Sequence, residues 1–249
     1  MSLGVSIIMP VFNSAIYISK SIKSVLCQSH TNFQLIIVDD CSTDNSLDVI
    51  SEFLIDSRIE LYVNESNKGA AYTRNVALTK VKFNFIAFLD SDDIWLEDKL
   101  KVQVNYMLEN NSAISYGSYS IINKNDITLK NHFKIPSKLT YQDYLKNTII
   151  GMSTSMVNTN ITGVIFFENF RRRQDTILWL NLLKQGFTAD LYPGNYVLYR
   201  ARKDSLSGNK FKAVLIVFYI YWKHENLNIF RAFYFFINYL FNSLRKNIF

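Results

Sequence analysis

Phe85-Ile86-Ala87-Phe88-Leu89-Asp90-Ser91-Asp92-Asp93 sets five apolar residues directly against three carboxylates. A short, continuous apolar run closed by acidic and turn-forming residues reads as a buried strand whose carboxyl end carries polar work. Two earlier segments repeat the pattern. Val5–Met9 runs into Pro10-Val11-Phe12-Asn13, and Leu35–Val38 runs into Asp39-Asp40-Cys41-Ser42. Between them Ile18, Ile22, Val25 and Leu26 recur at helical spacing after Asn13-Ser14, and Leu47, Ile50, Phe53 and Leu54 do so after a cap at Ser42 or Thr43. Ile59–Val63 is a further strand and Ala70–Leu78 a further helix. This βαβαβαβ rhythm predicts an α/β fold, a mainly parallel sheet with helices on both faces. Ligands of such sheets bind beyond the carboxyl ends of the strands, which is where the acidic clusters fall.

The periodicity weakens after about residue 110. Ile114–Ile122, Ile161–Phe167 and Tyr196–Tyr199 read as strands, Tyr141–Asn147 as a short helix, and Gln174–Gln185 as an amphipathic helix stopped by Gly186. No repeat or low-complexity linker divides the chain. The expected organisation is one domain over 1–209 in two parts, 1–109 and 110–209, followed by a helical tail over 210–249.

Charge sets the tail apart. Of the net charge of +6, residues 1–209 contribute +1. Residues 210–249 contribute +5, from Lys210, Lys212, Lys223, Arg231, Arg245 and Lys246 against Glu225. The same forty residues hold 13 of the 37 aromatics. The body therefore offers no basic nucleic-acid groove. Ala213–Trp222 and Ile229–Phe241 are too short or too polar to span a bilayer. Their mixture of aromatic and basic residues suits helices in a membrane interface beside anionic headgroups, or else core packing or contact with a second copy. The opening run lacks the basic flank of a secretory signal, and Cys27 and Cys41 make no disulfide framework, so a reducing cytoplasm is expected.

The chemistry concentrates in four places. Asp90, Asp92 and Asp93 repel one another unless they share a cation such as Mg²⁺ or Mn²⁺; alternatively they form a solvated acidic turn capping a helix near Trp95. Asp39-Asp40 can accept hydrogen bonds from a base or ribose, or cap a helix. Asn67-Lys68-Gly69 opens a helix whose N-terminus favours anions, and Arg74 can reach a diphosphate, orient Asp92 or make a surface ion pair. Asp175, after Arg171-Arg172-Arg173-Gln174, is a helix-dipole partner or a general base. No G-x-G-x-x-G, G-K-[ST], H-E-x-x-H or G-x-S-x-G pattern is present, which disfavours common dinucleotide enzymes, P-loop NTPases, zincins and serine hydrolases.

In order along the chain, Ser6-Ile-Ile-Met-Pro-Val-Phe-Asn13, Ile37-Val-Asp-Asp-Cys-Ser-Thr-Asp44, Asn67-x-Gly69 with Arg74-Asn75, and Phe88-Leu-Asp-Ser-Asp-Asp-x-Trp95 resemble the inverting family-2 glycosyltransferases of GT-A fold. The resemblance is strong over 5–100. It continues more weakly to Asp175 and to Tyr199-Arg-x-Arg-Lys-Asp-Ser-Leu-Ser207, and is similar to bacterial enzymes building O-antigen, lipopolysaccharide core or capsule. It implies that Pro10, Val11 and Asn13 form a donor loop, that Asp40 recognises uracil, that Arg74 lies near the diphosphate, and that Asp90 and Ser91 touch the nucleotide-sugar. It also implies that Asp92 binds Mn²⁺ or Mg²⁺ and Asp175 is the acceptor-activating base. Gln174 stands where the family usually has an acid, and Gln34 where many relatives have Glu. The implied activity is transfer of a hexose or N-acetylhexosamine from a UDP-sugar to a lipid-linked saccharide, by a protein peripheral at the inner face of the plasma membrane. A non-catalytic subunit of a polysaccharide synthase and a nucleotidyltransferase are the alternatives. Intact Asp90, Asp92 and Asp175 weigh against the first, and the lack of a Gly- and basic-rich loop after the first strand against the second.

Overall fold

The computed structural model describes residues 3–130, 135–170, 172–201 and 210–248. Ten strands form one mixed sheet. In chain order they are β1 (Val5–Val11), β2 (Phe33–Asp39), β3 (Ile59–Val63), β4 (Phe85–Phe88), β5 (Ile94–Trp95), β6 (Ile114–Ile122), β7 (Thr128–Lys130), β8 (Lys138–Leu139), β9 (Met156–Asn158) and β10 (Ala189–Arg200). Their order is β3-β2-β1-β4-β9-β6-β10-β5, with β7 beside β6 and β8 beside β10. The first four pair in parallel, as the βα rhythm predicts. β9 reverses direction and runs antiparallel to both β4 and β6, so the two halves of the chain meet within one sheet.

Alternation along the strands divides the core. Ile7, Met9, Leu35, Ile37, Ala87 and Leu89 face one side, covered by α1 (Ala15–Leu26), α2 (Ser46–Ser51) and α4 (Lys99–Glu109). Ile8, Ile36, Val38, Ile86 and Phe88 face the other. That side is covered by α3 (Ala70–Leu78), α5 (Tyr141–Lys146), α7 (Gln174–Lys184), α8 (Lys210–Tyr219) and α9 (Ile229–Ile248). A π-turn, Ile220–His224, continues α8.

Four expectations are corrected. Strand β1 does not stop at Pro10 but runs to Val11. Ile8 accepts from Leu89, so it faces β4; Pro10, two residues on, faces the same way past the end of β4 and removes no ladder bond. Ile161–Phe167 is not a strand. The strand is Met156–Asn158; the Asn158 side chain then caps the turn α6 (Thr159–Thr162), and Gly163 leaves it at φ 72°. No helix begins at Trp95. Ile94-Trp95 pairs with Leu198 and Val197 of β10, and α4 starts four residues later. β10 itself is longer than the predicted Tyr196–Tyr199 because it shifts register around Pro193-Gly194, where Gly194 takes φ 91°.

Candidate active site

The carboxyl ends of β1, β2 and β4 lie side by side, and hydrogen bonds between their loops build a single edge. Asp40 N–H donates to Val11 O at 2.8 Å, joining the first two. Asn13 adopts a left-handed conformation (φ 48°); its N–H donates to Ser42 Oγ at 3.0 Å and its Oδ1 accepts from Thr43 N at 2.8 Å. Asp39 Oδ1 and Oδ2 accept from Ser42 N and Ser42 Oγ. Asp39 thus shapes the turn, while Asn13 clamps it.

Asp40 points the other way. Its Oδ1 accepts from Asn64 Nδ2 (2.8 Å) and Lys68 N (2.9 Å), and its Oδ2 from Gly69 N (2.7 Å). Gly69 at φ 88° permits the turn into α3. Three donors fill most of the carboxylate's capacity, leaving Oδ2 with room for one more. Beside this turn, Asn67, Lys68, Gly69, Ala71, Asn169 and Phe170 line a cavity of about 270 Å³.

The Asp90–Asp93 loop is held from three directions. From α1, Ser14 Oγ meets Ser91 Oγ at 2.8 Å, and Ser21 Oγ donates to Ser91 O and Asp93 O at 2.9 and 2.7 Å. From the turn Met152–Thr154, Ser153 Oγ accepts from Asp90 N (3.1 Å) and donates to Asp93 Oδ2 (2.5 Å). From the end of β10, Arg200 N donates to Asp93 Oδ1 (2.8 Å) and Arg200 Nε to Asp92 O (2.8 Å). Asp93 is fully buried; burial, then the charges of Asp92 and Asp90, push its carboxyl well above the usual range.

The three carboxyls therefore differ in kind. Asp93 points inward as a structural tie. Asp90 accepts from Arg74 Nη2 at 2.6 Å and is a third exposed. Asp92 is part-buried, and its backbone carbonyl is held by Arg200. The expectation that Arg74 orients Asp92 is replaced by its pairing with Asp90, the first carboxylate beyond the end of β4. Arg74 is buried against the Phe167 ring at 5.5 Å, and among the described residues its Nε and Nη1 meet no hydrogen-bond partner. Two buried guanidinium donors without acceptors suit an anion entering beside Asp90.

No group of three or more His, Cys, Asp or Glu side chains converges among the described residues. That donor set does not suit an all-protein cage. It does fit a cation held by Asp92, alone or with Asp90 Oδ2, the oxygen not paired with Arg74, the remaining positions belonging to substrate phosphates and water, as is usual for Mg²⁺ and Mn²⁺.

Asp175 sits in the first turn of α7, which opens on Arg173 in a left-handed conformation. Trp179, one turn along the same face, packs edge-on against Phe88 at 6.2 Å, two residues before Asp90. The helix thus rises from the sheet beside β4 with Asp175 toward its N-terminal end. The Asp175 charge also acts on Tyr144 of α5, whose phenol is pushed well above its ordinary value by burial first and by that carboxylate second.

Several groups that build this edge are not apparent from motifs alone. Ser153, Arg200 and Asp93 lock the acidic loop, and Phe167 is gripped by Asn75 in both directions, Nδ2 to Phe167 O and Oδ1 from Phe167 N, each at 2.7 Å. The Arg74-Asn75 pair is the signal: one residue holds Asp90 and the next holds Phe167. Of the weaker motif near the end of β10, Tyr199 and Arg200 are placed, whereas 202–207 lie outside the described residues, as does Arg171.

Residues 6–171 match the family model described as glycosyl transferase family 2. The chain belongs to glycosyl transferase family 2. A relative of this glycosyltransferase, TuaG of Bacillus subtilis (strain 168), is named for teichuronic acid biosynthesis and is 42% identical over 98% of this chain and 97% of its own. The Escherichia coli protein WfgD, named a UDP-Glc:alpha-D-GlcNAc-diphosphoundecaprenol beta-1,3-glucosyltransferase, is 45% identical over 84% of this chain and 81% of its own. Among solved structures, S. aureus TarS 1–349 in complex with UDP-GlcNAc superposes with a TM-score of 0.71 at 19% identity, covering 96% of this chain and 72% of that one. The glycosyltransferase accordingly has the GT-A fold, a mixed α/β sheet flanked by helices.

Proposed function

We propose that this family-2 glycosyltransferase is an inverting, divalent-metal-dependent enzyme of bacterial surface-polysaccharide assembly. It moves a hexose or N-acetylhexosamine from a UDP-sugar to a hydroxyl of a lipid-linked oligosaccharide or lipopolysaccharide acceptor. The observation that carries the reading is the Arg74–Asp90 pair, with two buried guanidinium donors that meet no acceptor among the described residues, at the loop that also carries Asp92. The names of TuaG and WfgD support the substrate class.

In this reading the uridine lies along the loops after β1 and β2. Pro10, Val11 and Asn13 form its floor, and the open position on Asp40 Oδ2 receives the uracil N–H. Ser91 and Asp90 meet the ribose side of the donor. Arg74 faces the diphosphate with Nε and Nη1, fixing its position and meeting the charge that grows as it leaves. Asp92, with Asp90 beside it, would hold Mn²⁺ or Mg²⁺, which when bound supplies Lewis-acid neutralisation of the diphosphate. Asp175 takes the proton of the acceptor hydroxyl. The freed oxygen attacks the anomeric carbon from the side opposite the diphosphate, the C–O bond to phosphate breaks, UDP departs and the configuration inverts. No carboxyl is needed to protonate the leaving oxygen, unlike in glycosidases. A lipid-linked acceptor places the reaction at the inner face of the plasma membrane.

The test is UDP release from a panel of nucleotide sugars, with Mn²⁺ or with EDTA, in the presence of a lipid-diphosphate sugar. Release from one UDP-sugar that needs both metal and acceptor is the expected result. UDP binding without release from any donor across acceptors would favour the non-catalytic subunit.

A further inference from the structure

The outer face of α9 carries an exposed apolar stripe. Its inner face packs on the domain through Ala232, Phe235 and Tyr239, all buried. On the opposite side Phe230, Phe233, Tyr234, Ile237 and Leu244 are exposed, Phe230 at 84%, and Phe241 is exposed on the same line. The spacing of three, four and seven residues sets these side chains on an arc about 100° wide, and the stripe from 230 to 244 is roughly 21 Å long. Arg231 and Asn238 flank it on one side. On the preceding segment Leu215, Tyr219 and Trp222 are exposed as well, with Lys223 Nζ 3.9 Å above the Trp222 ring.

We infer that this stripe is a bilayer-docking face: α9 lies flat in the headgroup region of an anionic membrane, with Lys223 and Arg231 at phosphate level. Three observations select this occupant. No helix among the described residues is long and apolar enough to cross a membrane, which leaves surface docking as the way α9 would meet a bilayer. Its large side chains are mainly aromatic, the residues that favour the interface. The net charge of +5 over 210–249 is complementary to anionic lipid, whereas two copies meeting face to face would juxtapose like charges.

The inner side of the same helix connects docking to the candidate site. Arg173 Nη2 donates to Tyr239 Oη at 3.1 Å, and Arg173 is the residue on which α7 opens, two before Asp175. The outer stripe and Tyr239 lie on opposite sides of one helix, about 10 Å across. The start of α7 therefore stands about one helix diameter behind the lipid-facing surface. That distance suits an acceptor whose diphosphate is at headgroup level. This last link rests on the proposed acceptor class; the docking face itself does not.

The experiment is co-sedimentation of the full chain with phosphatidylglycerol-rich vesicles and with pure phosphatidylcholine vesicles. The wild type should bind the first far more tightly. The variant Phe230→Ser/Phe233→Ser/Ile237→Ser changes exposed positions only and should keep the wild-type melting curve, yet bind about a hundredfold more weakly. Lys223→Glu/Arg231→Glu should weaken binding in low salt and leave phosphatidylcholine binding unchanged. Vesicle binding unaffected by the triple variant would overturn the inference. So would a wild-type dimer that the triple variant dissociates, which would give the face to a second copy. Lost transfer with intact vesicle binding would instead refute the catalytic reading and leave this one standing.

Discussion

Arg74 donates to Asp90 Oδ1 at 2.6 Å in an unequal pair: the cation's side chain is 5% exposed, its carboxylate partner's 33%. If Arg74 is removed, Asp90 can rehydrate, so the fold loses only about 1–2 kcal/mol. The donor site loses more, since Nε and Nη1 are the buried donors left for the diphosphate. Arg74→Gln should therefore bind UDP at least about tenfold more weakly by calorimetry, with a small change in the urea midpoint. Arg74→Lys should restore little, because an ammonium cannot hold Asp90 and offer a planar fork at once.

Asp93 is expected to behave in the opposite way. Its carboxyl is raised by burial and by its acidic neighbours, so the contribution of Asp93 to stability is fully present below the unfolded value of about 3.9 and is lost as pH climbs through the folded value. Asp93→Asn keeps an acceptor for Arg200 N and a partner for Ser153 without the charge. Thermal unfolding from pH 4 upward should show the variant gaining on the wild type as pH rises, then levelling off. Asp93→Ala strands both partners and should be destabilised by about 1–3 kcal/mol throughout. A pH-independent difference for Asp93→Asn would contradict the assignment of Asp93 as a buried, proton-favouring tie.

How far the chain could be read in advance follows from where information is local. β3, α3 and β6 fall on their predicted limits because polar or turn-forming residues adjacent in sequence bound them, Asp56 to Arg58 before β3, Gly69 before α3 and Asn123 after β6. The acidic edge was legible for the same reason, since a strand end and its turn are contiguous. Ile161–Phe167 reads as a strand because Ile165 and Phe167 turn inward while Val164 and Phe166 turn outward, yet it is a loop held by Asn75, and a side-chain clamp ninety-two residues away leaves no local signal. Arg200 and Ser153 were hidden likewise. Single polar residues acquire their role only when β9 is threaded beside β4 and β10 beside β6, a topology that follows from the antiparallel return of β9.

The tail is tied to the domain by a charged cluster that titrates. His224 meets Glu168 Oε2 at 2.9 Å and Glu225 Oε1 at 3.0 Å, while Glu225 Oε2 also takes Tyr141 Oη and Lys184 Nζ. Burial disfavours the imidazolium, but the two carboxylates outweigh it and raise the His224 pKa. Its contribution is thus complete below about pH 6.5 and disappears as pH rises through the raised value. Differential scanning calorimetry of the full chain should show wild-type stability falling across that window, and His224→Gln should flatten the profile. Equal slopes for the two proteins would remove His224 as the cause.

Asp92 and Asp175 separate donor binding from chemistry. Asp92 lies on the loop fixed by Ser21, Ser153 and Arg200, whereas Asp175 stands on α7, which is anchored to the sheet by Trp179 against Phe88. The two supports share no residue, so each substitution should act at its own end of the reaction. Asp92→Ala should abolish the Mn²⁺-dependent part of UDP affinity together with transfer. Asp175→Asn should leave UDP and Mn²⁺ binding unchanged while kcat falls by about 10²–10⁴, the usual span for a lost general base. The amide keeps the shape beside Tyr144 and cannot accept the acceptor's proton at neutral pH, so the loss cannot be laid to a displaced helix. Single-turnover transfer alongside UDP calorimetry checks the split. Transfer retained by Asp175→Asn would move the base role to another residue at this edge, and weakened UDP binding would place Asp175 in the donor site instead.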